Sequence, residues 1–226
     1  MDDDLDLTRL DDPAVYDRAV ALLAAVTDDL LDDVRALDDD AVRAPSLLPG
    51  WTRAHVLTHV ARNADALCNL LEWARTGVEH PMYASREQRD ADIEVGAGRS
   101  AADLEADVES SAERLLAAIA ALPAERRSAT VRSGAGTAMP ASDVLWARIR
   151  EVAYHHVDLG TGRRFRDLPA PVVARGLPEA VQRTGVDPAA AGVRGSAADL
   201  LGWLTGRQDG AALDADGPLP AVPSWG

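Results

Sequence analysis

Glu151 and His155 stand four residues apart in Glu151-Val152-Ala153-Tyr154-His155, among apolar residues Leu145, Ile149, Val152 and Leu159 that recur at helical spacing. Positions i and i+4 share one face of a helix, so this carboxylate and imidazole can converge on one point. That donor pair suits zinc or another first-row divalent ion. The plainer alternative is a Glu–His hydrogen bond on a helix surface. His156 competes with His155, because it falls on the apolar stripe and could equally be a packed residue. The carboxylate one turn earlier favours His155. Asp158, three residues further on, could accept a hydrogen bond from the His155 ring and orient it.

A third ligand would have to come from another helix. His59 lies on the same side as Val56, Val60 and Leu67, and His55, one turn earlier, could pair with it as an i, i+4 couple. A buried core histidine is the alternative for His59, and a first-turn surface residue for His55. His80 sits in a loop-like stretch. Cys68 lies amid Leu67, Leu70 and Leu71 and reads as a small core residue. Arg62, Arg86, Arg89 and Arg207 are candidates for gripping a carboxylate, which a guanidinium can do through two parallel hydrogen bonds. There is no glycine-rich phosphate loop, no serine-nucleophile elbow and no HExxH segment.

The elements that must position these residues read as mostly helical. Asp11-Asp12-Pro13 is a helix start, and Val15, Ala19, Leu22, Val26, Leu30, Val34 and Leu37 follow at three- and four-residue steps. Asp28, Asp29, Asp32 and Asp33 fall opposite, as a solvated acidic face. A second helix is expected from near Thr52 to Arg75, closed by Gly77. Ser85-Arg86-Glu87-Gln88 has the form of a capping box within a loop-rich stretch, and Ser100 opens a third long periodic segment ending at Leu122-Pro123. Residues 128–139 suggest a small extended excursion. A fourth helix then runs from Pro140 to about Gly160. Four long helices with one long connection describe a four-helix bundle over residues 1–164. In residues 165–226, Pro169, Pro171, Pro178 and Pro188 are expected to break the chain into short pieces. One short helix is expected at 196–206, before an extended tail. The whole is a mainly α protein with a small C-terminal α+β subdomain.

Composition removes other classes. The 226 residues carry a net charge of −14, and residues 1–40 hold 14 Asp against 3 Arg. Such a balance opposes a nucleic-acid backbone or an anionic membrane as partner. The acidic N-terminus is unlike a signal peptide, no run approaches a membrane span, and one cysteine excludes an internal disulfide. A cytoplasmic protein is expected. All 23 basic residues are Arg, which excludes lysine Schiff-base chemistry.

Five separated motifs resemble the mycothiol-dependent maleylpyruvate isomerase family, within the DinB-like four-helix bundle superfamily. They are Leu48-Pro49-Gly50-Trp51-Thr52, His59-Val60-Ala61-Arg62-Asn63-Ala64-Asp65-Ala66, and the run from Met82-Tyr83 to Ile93-Glu94. Arg150–Leu159 is similar to the family's metal helix. Asp199–Arg207, with the closing Leu-Pro and Trp-Gly, is similar to its C-terminal subdomain. The resemblance implies His59, Glu151 and His155 as ligands of zinc or another divalent metal, and so chooses His59 over His55. It implies Arg89 and Arg207 as substrate-binding arginines, Arg62 and Asn63 as contacts of a mycothiol cofactor, and a small dicarboxylate substrate. The implied reaction is cis–trans isomerisation of maleylpyruvate to fumarylpyruvate by reversible thiolate addition. The alternatives are a mycothiol S-transferase using the same metal site and a non-catalytic metal-binding DinB-like protein.

Overall fold

The computed structural model describes residues 4–223, so the closing Trp225-Gly226 lies outside the described residues. These residues divide into two compact units, one of residues 9–161 and one that joins residues 162–223 to residues 4–8.

In the first unit the long helices are α1 (Pro13–Arg35), α3 (Arg53–Thr76), α5 (Ala101–Ala121) and α6 (Asp143–Asp158), with the short α2 (Asp39–Arg43) before α3 and α4 (Arg86–Gly96) in the long connection after it. All of these but α6 start at a capping side chain. Asp12 accepts from the Ala14 amide ahead of α1, Ser85 from Gln88 ahead of α4, and Ser100 from Asp103 ahead of α5. Gly77 closes α3 in the left-handed conformation at φ 77°, which glycine adopts without a Cβ clash. α3 packs against α4, α5 and α6, and α1 packs against α5 and α6. The core between them is built from Leu23, Val26, Leu30, Leu57, Leu67, Leu70, Leu104, Leu115, Ile149 and Val152, each at most 2% exposed.

The extended excursion is an antiparallel hairpin, β1 (Thr130–Arg132) with β2 (Ala138–Pro140), registered by Val131 opposite Met139. Pro140 therefore ends a strand, and the fourth long helix begins at Asp143. One residue of the acidic face of α1 is not idle. Asp33 Oδ2 lies 2.9 Å from His156 Nε2 and accepts from the Thr161 hydroxyl at 2.9 Å. This pairing ties α1 to the buried side of α6 and accounts for His156 as a packed residue, 1% exposed.

The second unit departs from the expected string of short pieces. α7 (Ala170–Thr184) is a 15-residue helix containing two prolines. Pro171 lies in its first turn, where a missing N–H costs nothing. Pro178 forfeits one internal hydrogen bond, yet burial of Val172, Val173 and Ala180 on one face sustains the helix against α8 (Ala197–Leu204). Phe165, Leu201 and Leu204 complete that core. β3 (Val193–Arg194) pairs antiparallel with β4 (Asp214–Ala215), which supplies the α+β character. Residues 4–8 belong to this unit, where the Leu7 carbonyl accepts from the Arg175 guanidinium.

Candidate metal centre

α3 and α6 pack face to face, and their contact brings three of the expected ligands together. His59 Nε2 lies 3.2 Å from Glu151 Oε2, and His155 Nε2 lies 3.3 Å from the same oxygen. The two imidazoles meet edge to face, with centroids 4.6 Å apart and planes at 86°. Each side chain brings one ligand atom within 4.8 Å of the other two. Tetrahedral zinc with bonds of about 2.0–2.1 Å spaces its ligand atoms about 3.3 Å apart, so the observed spacings suit such an ion. Two neutral-capable imidazoles and one carboxylate form the donor set of an open, three-ligand centre.

The electrostatics favour the ligating forms of His59 and Glu151, whereas at His155 a metal must displace a proton that its two carboxylate neighbours favour. Burial pushes His59 down to about 4 despite the pull of Glu151, so its ring is neutral at physiological pH. Burial would raise the Glu151 carboxyl, but hydrogen bonds from His155 and His59 hold it well below the usual carboxylate range. Burial would lower His155, yet Asp158 and Glu151 outweigh it and raise its pKa. His155 Nδ1 lies 2.9 Å from Asp158 Oδ2, and that carboxylate is fully buried. A carboxylate on Nδ1 fixes the tautomer that leaves Nε2 for a metal. Asp158→Asn is therefore expected to weaken metal affinity about 10–100-fold, read by competition with a chelating dye.

His55 is not a second ligand on α3. Its Nδ1 lies 2.7 Å from the Thr52 hydroxyl and 3.2 Å from the Thr52 amide, completing the capping box of the helix. Trp51 stacks on the His55 ring at 6.2 Å and meets the His59 ring edge-on at 5.6 Å. It walls the cluster with an aromatic face that the sequence reading passed over.

The expected arginines diverge. Arg89, on α4, reaches the cluster: its Nη2 is 3.2 Å from His59 Nδ1, while Nη1 pairs with Asp90 at 2.6 Å. Arg62 is committed elsewhere, to Asp107 on α5 at 2.6 Å and to Asp65 at 3.0 Å. Arg86 and His80 are exposed. Arg207 belongs to the other unit, where it follows α8 and donates to the Thr205 carbonyl. Cys68 is part-buried, and burial pushes its thiol up, which makes it a poor nucleophile.

Asn63, one turn beyond His59, is 5% exposed and accepts at Oδ1 from Arg148 Nη1 at 3.0 Å. Arg148 was not singled out from the sequence. It is 1% exposed, donates also to the Val60 carbonyl at 2.7 Å, and leaves Nη2 without a hydrogen-bond partner. Its position three residues before Glu151, on an apolar stripe, was the available signal. Burial lowers its pKa to about 10, so it stays charged at neutral pH at a cost of roughly 3 kcal/mol. That penalty acts below the lowered value and fades only as the pH rises through it. Arg148→Met removes the penalty but strands the Asn63 carbonyl, which costs about 1–3 kcal/mol. The two terms nearly cancel, so denaturant titration is expected to find stability changed by less than about 1–2 kcal/mol. This guanidinium is better understood as holding Asn63 in place than as a source of stability.

With this geometry in hand, comparison with known proteins is informative. The family model described as the mycothiol maleylpyruvate isomerase N-terminal domain matches residues 23–160. A crystal structure of the mycothiol-dependent maleylpyruvate isomerase is similar at 32% identity and a TM-score of 0.86, covering 93% of this chain and 97% of that one. A structure of a histidine-to-alanine mutant of the mycothiol-dependent maleylpyruvate isomerase is similar at 31% identity, with the same TM-score and coverage. A search among curated proteins returned no match.

Proposed function

This chain belongs to the mycothiol-dependent maleylpyruvate isomerase family, and we propose from that premise that it isomerises maleylpyruvate to fumarylpyruvate with mycothiol as thiol cofactor at a zinc-type centre. The observation that carries this reading is the convergence of His59, Glu151 and His155 on one point, with Asp158 behind His155. No helix among the described residues is long and apolar enough to cross a membrane.

His59 Nε2, Glu151 Oε2 and His155 Nε2 would hold the ion. When bound, the ion supplies Lewis acidity that keeps a coordinated thiol as thiolate near neutral pH. The rest is done by the chain. Glu151 and the buried Asp158 offset the positive charge. Trp51 and the buried α3–α6 seam exclude water from one side, so the nucleophile is less hydrated. With Nε2 given to a metal, His59 carries its proton on Nδ1, and Arg89 loses its acceptor there. Arg89 then has a guanidinium edge for a substrate carboxylate, with Asp90 holding the other edge. Addition of the thiolate turns the cis double bond into a single bond. Rotation and elimination return the thiol and leave the trans isomer.

Arg207 is proposed as the second substrate-binding arginine on the family resemblance alone. Arg62 and Asn63 are likewise proposed as contacts of mycothiol on that resemblance alone. A cytoplasmic setting, where low-molecular-weight thiols are reduced, fits this chemistry.

The test is product identity. Incubating the metal-loaded protein with maleylpyruvate and mycothiol, and following the vinyl protons by nuclear magnetic resonance, should show the trans product with the thiol regenerated. Accumulation of a stable thioether, with no trans product, would replace isomerisation by S-transfer at the same centre.

A further inference from the structure

α4, which carries Arg89, is held to the bundle by very few residues. Of its eleven residues, only Arg89, Ile93 and Gly96 are not exposed. They stand at i, i+4 and i+7, so they form one stripe, and that stripe meets α3. Arg89 occupies one end of it, with Nη2 3.2 Å from His59 Nδ1. Ile93, 2% exposed, fills the middle. Gly96 occupies the other end, about 10 Å along the helix from Arg89, and lies against Thr58, the residue before His59.

At Gly96 there is no room for a side chain. A Cβ there would overlap Thr58 Cγ2, and it would lie 3.0 Å from Thr58 Oγ1 and 3.2 Å from Arg99 Nη2. Arg99 can give way, because its guanidinium ends a flexible chain. Thr58 cannot. It is 1% exposed on α3, and both heavy atoms on its Cβ face the glycine. Every staggered rotamer therefore leaves one of them in the way. The backbone does not ask for glycine, since Gly96 is not among the residues with positive φ. Alanine would be the better helix former, so space alone excludes it. Arg99 fastens the same point. Its Nε donates to the Gly96 carbonyl at 2.9 Å, and its Nη2 pairs with Asp107 on α5 at 2.8 Å.

We propose that Gly96 is a positioning residue for the reaction: its contact with Thr58 sets how closely α4 approaches α3, and so how far Arg89 reaches into the metal cluster. The inference rests on the reading of Arg89 as a substrate-binding arginine above. The separation of two packed helices follows the side chains at their contact. A methyl at residue 96 must lift or tilt α4 by about 1 Å before it reaches an ordinary contact distance from Thr58. Arg89 is on the same stripe of the same short helix, so it is carried along. A guanidinium that grips a carboxylate through two parallel hydrogen bonds tolerates little displacement. The metal ligands are spared, because all three stand on α3 and α6.

Gly96→Ala tests this in the metal-loaded protein. At saturating mycothiol the KM for maleylpyruvate should rise about 10–100-fold, with metal content and the KM for mycothiol at wild-type values. Two double variants separate positioning from general damage. Thr58→Ala combined with Gly96→Ala removes both obstructing atoms, and it should return the KM to within about threefold of wild type. In an Arg89→Ala background, Gly96→Ala should add nothing to the loss of kcat/KM, because the glycine acts through the arginine, whereas independent damage would multiply. An unchanged KM in Gly96→Ala, or a raised KM that Thr58→Ala leaves in place, would overturn the role of Gly96 and leave the isomerase reading standing. A further loss in the Arg89→Ala background, or loss of metal from Gly96→Ala, would do the same. Absence of maleylpyruvate isomerisation by the wild-type protein would remove both.

Discussion

Glu151→Gln is expected to yield a folded protein that purifies without stoichiometric metal and isomerises maleylpyruvate no faster than free thiol does. Glu151 is the one carboxylate among the three converging side chains, and both imidazoles lie within 3.3 Å of its Oε2. Glutamine keeps the shape and loses the charge. A divalent ion would then sit on a seam from which its main counter-charge is gone. Its amide NH₂ also competes for the ligand position, because a donor cannot bind a cation. Removing one partner of a buried charge pair costs about 3–5 kcal/mol, or roughly 10²–10⁴ in affinity. Elemental analysis after dialysis against buffered zinc measures the content directly. Retention of one equivalent of metal would remove Glu151 from the ligand set.

Arg89→Ala is expected to raise the KM for maleylpyruvate about 30–5,000-fold, the equivalent of losing a hydrogen-bonded charge pair worth roughly 2–5 kcal/mol. The guanidinium is 24% exposed and directed at His59, so its pairing with a carboxylate would be shielded from water on one side. Arg89→Lys should recover only part of the loss, because an ammonium cannot grip a carboxylate bidentately. Metal content should stay at the wild-type level, which separates substrate binding from assembly of the centre. Steady-state kinetics with maleylpyruvate varied at saturating mycothiol checks this. An unchanged KM would mean that Arg89 serves only to position His59.

The residues that gather at the centre were legible where the information is local. Glu151 and His155 announce themselves through one helical turn, and Ser85 and Ser100 mark helix starts that the structure bears out. The four long helices follow from the same periodicity. What was hidden depends on packing across the bundle. Nothing in the spacing of α3 says that Arg62 turns to Asp107 on α5 while Asn63 meets Arg148 on α6. Asp33 reads as one more solvated carboxylate until α6 places His156 beside it. His55 looked like a partner for His59, but its ring is within reach of Thr52 and is spent on the cap. α7 escaped because its prolines argue against a helix locally, and only the apolar face it buries overrides them.

The centre itself also changes what the acidic composition means. The excess charge lies in residues 1–40, whereas the ligands and Arg89 come from a nearly neutral remainder. In that remainder Arg148 and Arg89 stand beside a cluster whose carboxylates are Glu151 and, behind His155, Asp158.

The central claim is that a metal held by His59, Glu151 and His155 lets a thiol isomerise maleylpyruvate. The most direct measurement is the initial rate of maleylpyruvate loss as mycothiol is titrated into metal-loaded and metal-stripped protein. The expected result is saturable, thiol-dependent turnover in the loaded protein only, restored to the stripped protein by adding zinc back. Equal rates in the two preparations, or turnover without thiol, would contradict it.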